Sequence, residues 1–259
     1  MATFPALLCN RVTKLIIGPF VKGLGYVFHA IFPNKRFTLP AQAKPLLRSK
    51  SHKTIPRILW QTNFTNQATL PVYLNYLWNR LMAPRFAYRF MVTQDRDEYL
   101  QQAHPDVYQA YQRLTVGAAQ ADLWRLAVLY DQGGVYLDMD GCLMTRLEKR
   151  LKEDQQQLFI TNRKKRFTNY FIAAAPGNLA IKQVLDQALD NIAHHRVESG
   201  VYHLTGPGVL NQVLTTNELK HRNYRYTCIQ GVLTNQHFQY IDKDDGKKWT
   251  QIPKDQIIR

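Results

Sequence analysis

From residue 55 onward, short apolar runs alternate with segments of helical period. The run "RILWQT" (57–62) predicts a buried strand, and "AYRFMVT" (87–93), whose apolar and polar positions alternate, predicts a second strand. Between them, "VYLNYLWNRLM" (72–82) has helical spacing and follows Pro71, a residue favoured in the first turn of a helix. The order strand, helix, strand is typical of a βαβ unit.

The same alternation continues to the end of the chain. Two helices are predicted around a break at His104-Pro105, and a long helix from about Ala118 to Asp131 leads into a strand. Asn178 is positioned to cap a helix that ends near His194. The remaining predicted elements are strands at "LFITN", "YFIAAAP" and "YRYTCIQG" and a short helix at "GPGVLNQVL". The pattern predicts an α/β fold with a mainly parallel sheet flanked by helices, in which ligands bind at the carboxyl ends of strands.

Residues 1–54 have a different pattern. The first 32 residues are rich in apolar side chains interrupted by Arg11, Lys14 and Lys22, with no uncharged run of the ~20 residues that a spanning helix needs. Pro5, Gly18 and Pro19 are expected to break any continuous helix. Residues 33–54 carry three prolines and many basic residues, which indicates a linker. We therefore expect a basic amphipathic extension and linker at 1–54 and one folded domain at 55–259.

Positive charge is concentrated at the start of the chain. The net charge is +15, and the first acidic residue is Asp95, after thirteen Lys and Arg between Arg11 and Arg89. The other 21 basic residues face all 19 acidic ones, so the remainder of the chain is nearly neutral. Together with the apolar residues, this charge favours an interfacial segment on an anionic membrane surface; a solubilising surface, or a terminal helix packed on the domain, is the alternative.

The cysteines give information on the compartment. Cys9, Cys142 and Cys228 are odd in number, widely spaced and form no CxxC pair. A disulfide framework or a structural zinc site is therefore not expected, and a reducing cytoplasm is the simplest context.

The stretch "GGVYLDMD" (133–140) carries the candidate chemistry. Side chains two apart on a strand point the same way, so Asp138 and Asp140 should project together. Two close carboxylates repel each other unless a cation or a proton lies between them, and oxygen ligands suit Mg²⁺ or Mn²⁺. Water or substrate phosphates would complete the metal shell. A phosphoryl-accepting aspartate and an ordinary polar strand end remain alternatives.

The helix before this strand adds two charged residues. Asp122 and Arg125 are three apart and share a face, and Gly133-Gly134 turns the helix directly into the strand. Arg125 would offer a fixed cation to a hydroxyl or phosphate, and Asp122 would accept from sugar hydroxyls. The alternative for this pair is an internal ion pair that binds no ligand.

The block "ADLWRLAVLYDQGGVYLDMD" resembles the DXD region of glycosyltransferase family 32, which includes capsular and lipopolysaccharide sugar transferases. "IPRILWQT" (55–62) is similar to the first strand of that family, with Trp60 in place of its usual His, and "NYFIAAAPGN" (169–178) and "LTGPGVL" (204–210) are similar to later segments. The resemblance spans about residues 55–215. Family members often end the donor site with a His and a Ser-Trp pair, whereas this chain has His237 and Trp249 without that serine.

This resemblance implies a GT-A (Rossmann-like) fold, a nucleotide-sugar donor that is usually UDP-linked, Mn²⁺ or Mg²⁺, and retention of anomeric configuration. The reaction would add a hexose or N-acetylhexosamine to a saccharide or lipid-linked acceptor, in cell-surface polysaccharide or lipopolysaccharide synthesis. The basic, apolar front of the chain favours a position at the inner face of the membrane. By the resemblance, Asp140 ligates the metal, and Asp138 contacts the metal, ribose or sugar. The implied donor-binding residues are Trp60, Gln61, Thr62, Asp122, Arg125, Asn169 and Trp249. The basic turn Lys164–Arg166 could stabilise the leaving group, although such turns are more often only solvated.

Two other classes of function remain open. "VYLDMDG" also resembles the first motif of haloacid dehalogenase-type phosphatases, in which Asp138 would be the nucleophile and Asp140 the general acid. That motif usually lies near the chain start, and the later acidic motif is absent, with "DKDDG" (242–246) a poor substitute. A non-catalytic basic membrane-binding protein is the other class. A nucleic-acid partner is not expected, because no nucleic-acid motif is present. A calcium loop is excluded because the glycine follows the first Asp by three residues rather than five.

Overall fold

The computed structural model describes residues 10–48, 54–216, 219–243 and 252–259, and the predicted alternation of strands and helices is confirmed there. The strands are β1 Phe37–Thr38, β2 Gln42–Ala43, β3 Ile58–Thr62, β4 Gln67–Ala68, β5 Ala87–Met91, β6 Gly134–Leu137, β7 Gly141–Leu143, β8 Gln157–Thr161, β9 Phe167–Ala174, β10 His221–Asn223 and β11 Cys228–Gln230. The helices are α1 Asn10–Ile31, α2 Leu70–Met82, α3 Thr93–Ala103, α4 Pro105–Arg113, α5 Gly117–Asp131, α6 Leu179–Ala193, α7 Gly200–Leu204, α8 Pro207–Val213 and α9 Gln236–Tyr240. Asn178 caps α6 as predicted, accepting from the Ile181 amide at 3.2 Å.

The central sheet has seven strands in the order β10-β8-β9-β6-β3-β5-β2. The pairs β10–β8, β6–β3 and β3–β5 are parallel, whereas β8–β9, β9–β6 and β5–β2 are antiparallel. The α/β class is therefore confirmed, but the sheet is mixed rather than mainly parallel. The reason is local: β8 and β9 form a hairpin, so β9 returns antiparallel to both of its neighbours.

Helices and loops cover both faces of this sheet. One face packs under α5 and α6 through large side chains such as Trp124, Phe159 and Ile172. The other face packs near α2 through Tyr88, Phe171 and their neighbours. Because both faces are buried, a polar ligand has access mainly at the strand ends.

The turn between α5 and β6 requires glycine at two positions. Gly133 and Gly134 have φ values of 64° and 109°, a region that favours glycine. A Cβ at Gly133 would lie 2.7 Å from a Pro176 side-chain carbon, and one at Gly134 would lie 2.8 Å from the Ile58 carbonyl oxygen. The two glycines therefore form a tight connection between α5 and β6. This connection fixes Asp122 and Arg125 of the helix relative to the end of the strand.

The expected break at Gly18 and Pro19 is wrong, since α1 is continuous from Asn10 to Ile31. Residues Thr13–Ile17 form a π-helical turn in which the Gly18 amide donates to the Thr13 carbonyl. A π turn shifts the hydrogen-bond ladder by one residue, and this accommodates the missing N–H and the ring of Pro19. Pro5 lies outside the described residues. By length and composition alone, α1 is apolar enough to cross a membrane.

The described part of the expected linker is held on the body of the protein. β1 pairs with β4, and β2 adds an antiparallel edge strand to the central sheet next to β5. Leu39, between them, is only 1% exposed. The proline-rich and basic segment is therefore irregular apart from two short strand pairings. The described part of the extension 1–54 is packed against the folded domain.

Candidate active site

The DXD turn (Asp138–Gly141) follows directly on β6. The Asp138 amide donates to the Tyr170 carbonyl at 2.9 Å, and the Gly141 amide donates to the Asp138 carbonyl at 2.9 Å. Two asparagines of α2 hold the turn from below: Asn75 donates to the Met139 carbonyl at 2.8 Å, and Asn79 donates to the Gly141 carbonyl at 2.7 Å. The two carboxylates are thus brought together by a clamped turn, rather than by a continuing strand.

Gln230 shows how close the two carboxylates are. Its side-chain nitrogen donates to Asp138 Oδ2 and to Asp140 Oδ1, at 3.1 Å in both cases. The pairing of β11 with β7 places Gln230 opposite Gly141, and the Gly231 amide donates to the Asp140 carbonyl at 3.0 Å. Burial and the neighbouring Asp138 raise the pKa of Asp140 to about 6. The neutral Gln230 amide therefore only partly compensates the negative charge of the Asp138 and Asp140 carboxylates.

Asp138 is also tied to the long helix. Its Oδ1 accepts from the Tyr136 hydroxyl at 2.7 Å and from Arg125 at 3.3 Å. Arg125 in turn bonds the Asn169 carbonyl at 2.8 Å, and its guanidinium lies 4.3 Å from the centre of the Tyr136 ring. These contacts fix one oxygen of Asp138 and leave the other facing Asp140.

Asp122 and Arg125 form the ion pair expected as the alternative for this helix face. Their side chains meet at 2.8 Å and are 8% and 7% exposed. Asp122 also accepts from Asn169 at 2.8 Å and from Thr205 at 3.2 Å. Burial raises the pKa of Asp122 to about 6 against the opposing effect of Arg125. Although burial opposes its charge, Arg125 has a raised pKa because Tyr136, Asp122 and Asp138 surround it. Direct contact of the pair with a donor sugar stays a prediction.

The residues predicted on β3 lie behind the site. Trp60 is 2% exposed, donates to the Gly133 carbonyl at 2.9 Å and packs edge-on against Trp124. Gln61 is fully buried and donates to the Asp138 carbonyl at 3.2 Å, while Thr62 donates to the Met91 carbonyl at 2.6 Å. Trp60 therefore stabilises the Gly133-Gly134 turn and Gln61 stabilises the DXD turn from the core side. Both side chains are buried and not accessible to a nucleotide.

Sequence reasoning missed three residues from the late part of the chain. Gln230 bridges the carboxylates, the Gln239 amide lowers the pKa of Asp140, and Tyr240 is 39% exposed with a pKa raised to about 12 by burial and by Asp138 and Asp140. Nothing in their local sequence marks them. Thr205, which bonds Asp122, lies in the "LTGPGVL" segment that resembles the family, but it was not predicted as a site residue. His237 stacks on Tyr26 of α1 at 5.5 Å, and Trp249 lies outside the described residues.

The donor set is consistent with a divalent cation. Asp138 and Asp140 present one oxygen each to the same point, now taken by an amide hydrogen-bond donor. In the described residues no group of three or more His, Cys, Asp or Glu could complete a shell. Two hard oxygen ligands with open positions suit Mg²⁺ or Mn²⁺ bound together with substrate phosphates.

Cation binding at the pair should depend on pH. Asp140 must lose its proton to act as a ligand, and its pKa without a cation is about 6. The apparent Mn²⁺ affinity should therefore be constant above pH 7 and fall about tenfold per pH unit below pH 6. Calorimetric titration between pH 5 and pH 8 measures this, and Asp140→Asn, which lacks the titrating ligand, should show little Mn²⁺ binding at any of these pH values. An affinity that stays flat from pH 7 to pH 5 would contradict the assignment.

The fold and site define an α/β protein with a DXD turn at the end of a central strand. Comparison with known proteins agrees: residues 49–158 match the family model described as the glycosyltransferase sugar-binding region containing the DXD motif. This match includes Asp122, Arg125, Asp138 and Asp140. Residues 49–158 thus match a DXD glycosyltransferase region, in agreement with the expected GT-A class.

Three solved structures resemble the chain at low identity, each with a TM-score below 0.5. "PaToxG Glycosyltransferase" has a TM-score of 0.48 at 16% identity, over 83% of this chain and 79% of that chain. The UDP-bound glycosyltransferase domain of the YGT toxin has a TM-score of 0.39 at 14% identity, over 54% of this chain and 53% of that chain. The ligand-free form of that domain has a TM-score of 0.32 at 16% identity, over 42% of this chain and 36% of that chain. No curated protein sequence matches the chain.

Proposed function

We propose that this protein is a metal-dependent, retaining glycosyltransferase of family 32. It would move a hexose or N-acetylhexosamine from a UDP-linked donor to a saccharide or lipid-linked acceptor, in capsule, lipopolysaccharide or other cell-surface polysaccharide synthesis. The observation that carries the proposal is the convergence of Asp138 and Asp140 on one point at the end of β6, inside the DXD region. Phosphatase chemistry on Asp138 is less well supported, since one of its oxygens is already held by Tyr136 and Arg125.

The chemistry follows from the charges at this turn. A bound Mn²⁺ or Mg²⁺ would supply positive charge to the diphosphate as it leaves. Asp140 and Asp138 would hold it, and the contacts of Asp138 with Tyr136 and Arg125 fix the orientation of its side chain. The bond from the anomeric carbon to the diphosphate oxygen breaks, and an acceptor oxygen bonds to the same face. The acceptor's proton passes to the departing phosphate, so no side-chain nucleophile is required.

A donor-hydrolysis screen tests this function. The protein is incubated with UDP- and GDP-linked sugars and Mn²⁺, and nucleotide release is measured with and without chelator. We expect chelator-sensitive release of UDP from a UDP-sugar. We also expect NMR to show that the newly formed product has the same α configuration as the donor. Release of phosphate from an aryl phosphate, without nucleotide release, would instead identify a phosphatase.

We further propose that α1 holds the protein on the cytoplasmic face of a membrane. Leu15, Ile16 and Phe20 are 67%, 63% and 69% exposed, although they are large and apolar. The other exposed apolar residues of this segment are Val12, Leu24, Tyr26, Val27, Ile31 and Phe32. The opposite side packs closely on the body: Gly25 lies against Pro71, and the Leu70 amide donates to His29 at 3.0 Å. A helix packed on one side and apolar on the other suits an interfacial position, and the basic residues nearby favour anionic lipid.

Vesicle sedimentation tests the membrane proposal. Phe20→Asp should reduce binding to anionic vesicles by at least about tenfold, because an exposed apolar anchor is replaced by a charge that anionic lipid repels. Leu179→Asp is the matched control, since Leu179 is 78% exposed but lies at the start of α6. Equal binding by the two variants would refute the role of α1. Resistance to alkaline extraction would indicate a spanning helix instead.

A further inference from the structure

A cleft of about 310 Å³ opens at the tip of the β8–β9 hairpin. It is lined by Asn162, Arg163, Lys164, Thr168, Tyr170 and Tyr224. The turn that carries its basic residues is ordered, because the Asn162 side chain accepts from the backbone amides of Lys164 and Arg166 at 2.9 and 3.1 Å. We call this the hairpin cleft. None of its lining residues is acidic.

Several cations gather around the hairpin cleft. Arg163 and Arg225 both donate to the Tyr224 hydroxyl, at 3.2 and 3.4 Å, and these bonds lower the pKa of Tyr224. Within the described ranges, neither of these arginines forms an ion pair with a carboxylate. Cations collected without a counter-charge favour an anionic ligand.

The hairpin cleft adjoins the DXD turn through Tyr170. The Tyr170 carbonyl accepts from the Asp138 amide at 2.9 Å, while its ring lines the cleft and its hydroxyl bonds the Cys228 carbonyl at 3.3 Å. An anion bound here would therefore lie beside the donor position, separated from the carboxylates by one aromatic ring.

We propose that the hairpin cleft binds the phosphate group of the acceptor, so that the acceptor substrate is a phosphate-bearing sugar or lipid. This rests on the proposed transferase function. The diphosphate of the donor would be held at the DXD turn, which leaves the separate cations of Arg163, Lys164 and Arg225 to the acceptor. Arginine suits this task because its planar fork bonds phosphate oxygens in pairs.

The source of the phosphate is indicated by α1. The Asn10 side chain donates to the Arg225 carbonyl at 2.9 Å, so the start of α1 lies next to the segment that carries this cation. The exposed apolar face of α1 therefore begins close to the hairpin cleft. This placement favours a phosphate attached to a lipid over a soluble sugar phosphate.

Binding of phosphate probes to the metal-free protein tests the proposal. Glycerol phosphate is titrated as the soluble probe, and phosphatidylcholine vesicles with and without phosphatidic acid serve as the lipid probe. Arg163→Gln/Arg225→Gln should weaken binding of the preferred probe at least about tenfold, since two charged hydrogen-bond donors are lost. Arg166→Gln is the control: it removes one positive charge from the hairpin turn, but Arg166 does not line the cleft. Tighter binding to one of the two probes identifies the source.

Failure here can be told apart from failure of the transferase function. Binding of UDP with Mn²⁺ is measured in parallel, and Asp140→Asn should abolish it while keeping phosphate-probe binding. The proposal is overturned if the double variant binds the probes as tightly as Arg166→Gln, or if Asp140→Asn removes probe binding as well. Lys164→Gln, which alters an exposed side chain, is the second variant if the double variant does not fold.

Discussion

Asp140→Asn should lower sugar transfer at least about 10³-fold and leave the protein folded. The loss is large because the carboxylate would hold the cation that stabilises the leaving diphosphate, and a neutral amide is a poor ligand for a hard cation. The fold should be unaffected because Asp140 gains little from its surroundings: its main neighbours are Asp138, which repels it, and the Gln230 amide. Activity is measured with a UDP-sugar and Mn²⁺, and folding by thermal denaturation.

The control for this variant is Asp186→Asn. Asp186 is an exposed carboxylate on α6 whose one ion-pair partner among the described residues is Lys182, so its loss should change activity less than twofold. A metal-dependent Asp140→Asn enzyme with near-normal turnover would refute the metal site. A large drop in the melting temperature would show that Asp140 serves the fold instead.

Arg125→Leu should destabilise the protein by about 3–5 kcal/mol. Removing this cation leaves the Asp122 carboxylate buried without its ion-pair partner and takes a donor from Asp138 and from the Asn169 carbonyl. Urea unfolding measures the loss as a shift of the midpoint at constant slope. A loss below about 1 kcal/mol would show that water or neighbouring donors replace Arg125.

A double-mutant cycle separates the ion pair from the packing of the arginine. Asp122→Asn in the Arg125→Leu background removes the unpaired charge, so it should recover a large part of the lost stability. Asp122→Asn alone keeps the hydrogen-bonding shape but leaves Arg125 with one counter-charge fewer. If the two changes simply add, the pair is not coupled and the network around Asp138 must be held in another way.

The fold elements and the core of the site could be predicted because their signals are local. The apolar spacing of α5, the two glycines after it and the short run of β6 lie in one stretch of twenty-four residues (117–140), so the chain itself links Asp122 and Arg125 to Asp138. Strands β3, β5, β8 and β9 were equally evident from their apolar runs. The direction of β9 was not, since the apolar run alone does not show that β8 and β9 form a hairpin.

The missed features depend on contacts between distant segments. Gln230 reaches the carboxylates from 90 residues away, and only the pairing of β11 with β7 puts it there. Trp60 looked like a ligand contact because of its place in the motif, but its indole bonds the glycine turn inside the core. The predicted helix break at Pro19 was wrong because the π-helical turn before it shifts the backbone hydrogen bonds of α1 by one residue. The spacing of residues in the sequence does not show such contacts, because they are set by how distant segments pack together.

In the proposed membrane position of α1, helix α2 would set how far from the bilayer sugar transfer takes place. Pro71 of α2 lies against Gly25 of α1, and Trp78 of α2 packs on the same apolar cluster as Val21 of α1. Asn75 and Asn79 of α2 bond the DXD turn. The turn is therefore no more than about one helix diameter, roughly 10–12 Å, from α1. With α1 seated among lipid head groups, the reacting bond is restricted to a thin layer above them. Such an enzyme would extend sugars attached close to their lipid and would not reach the far end of a long polysaccharide.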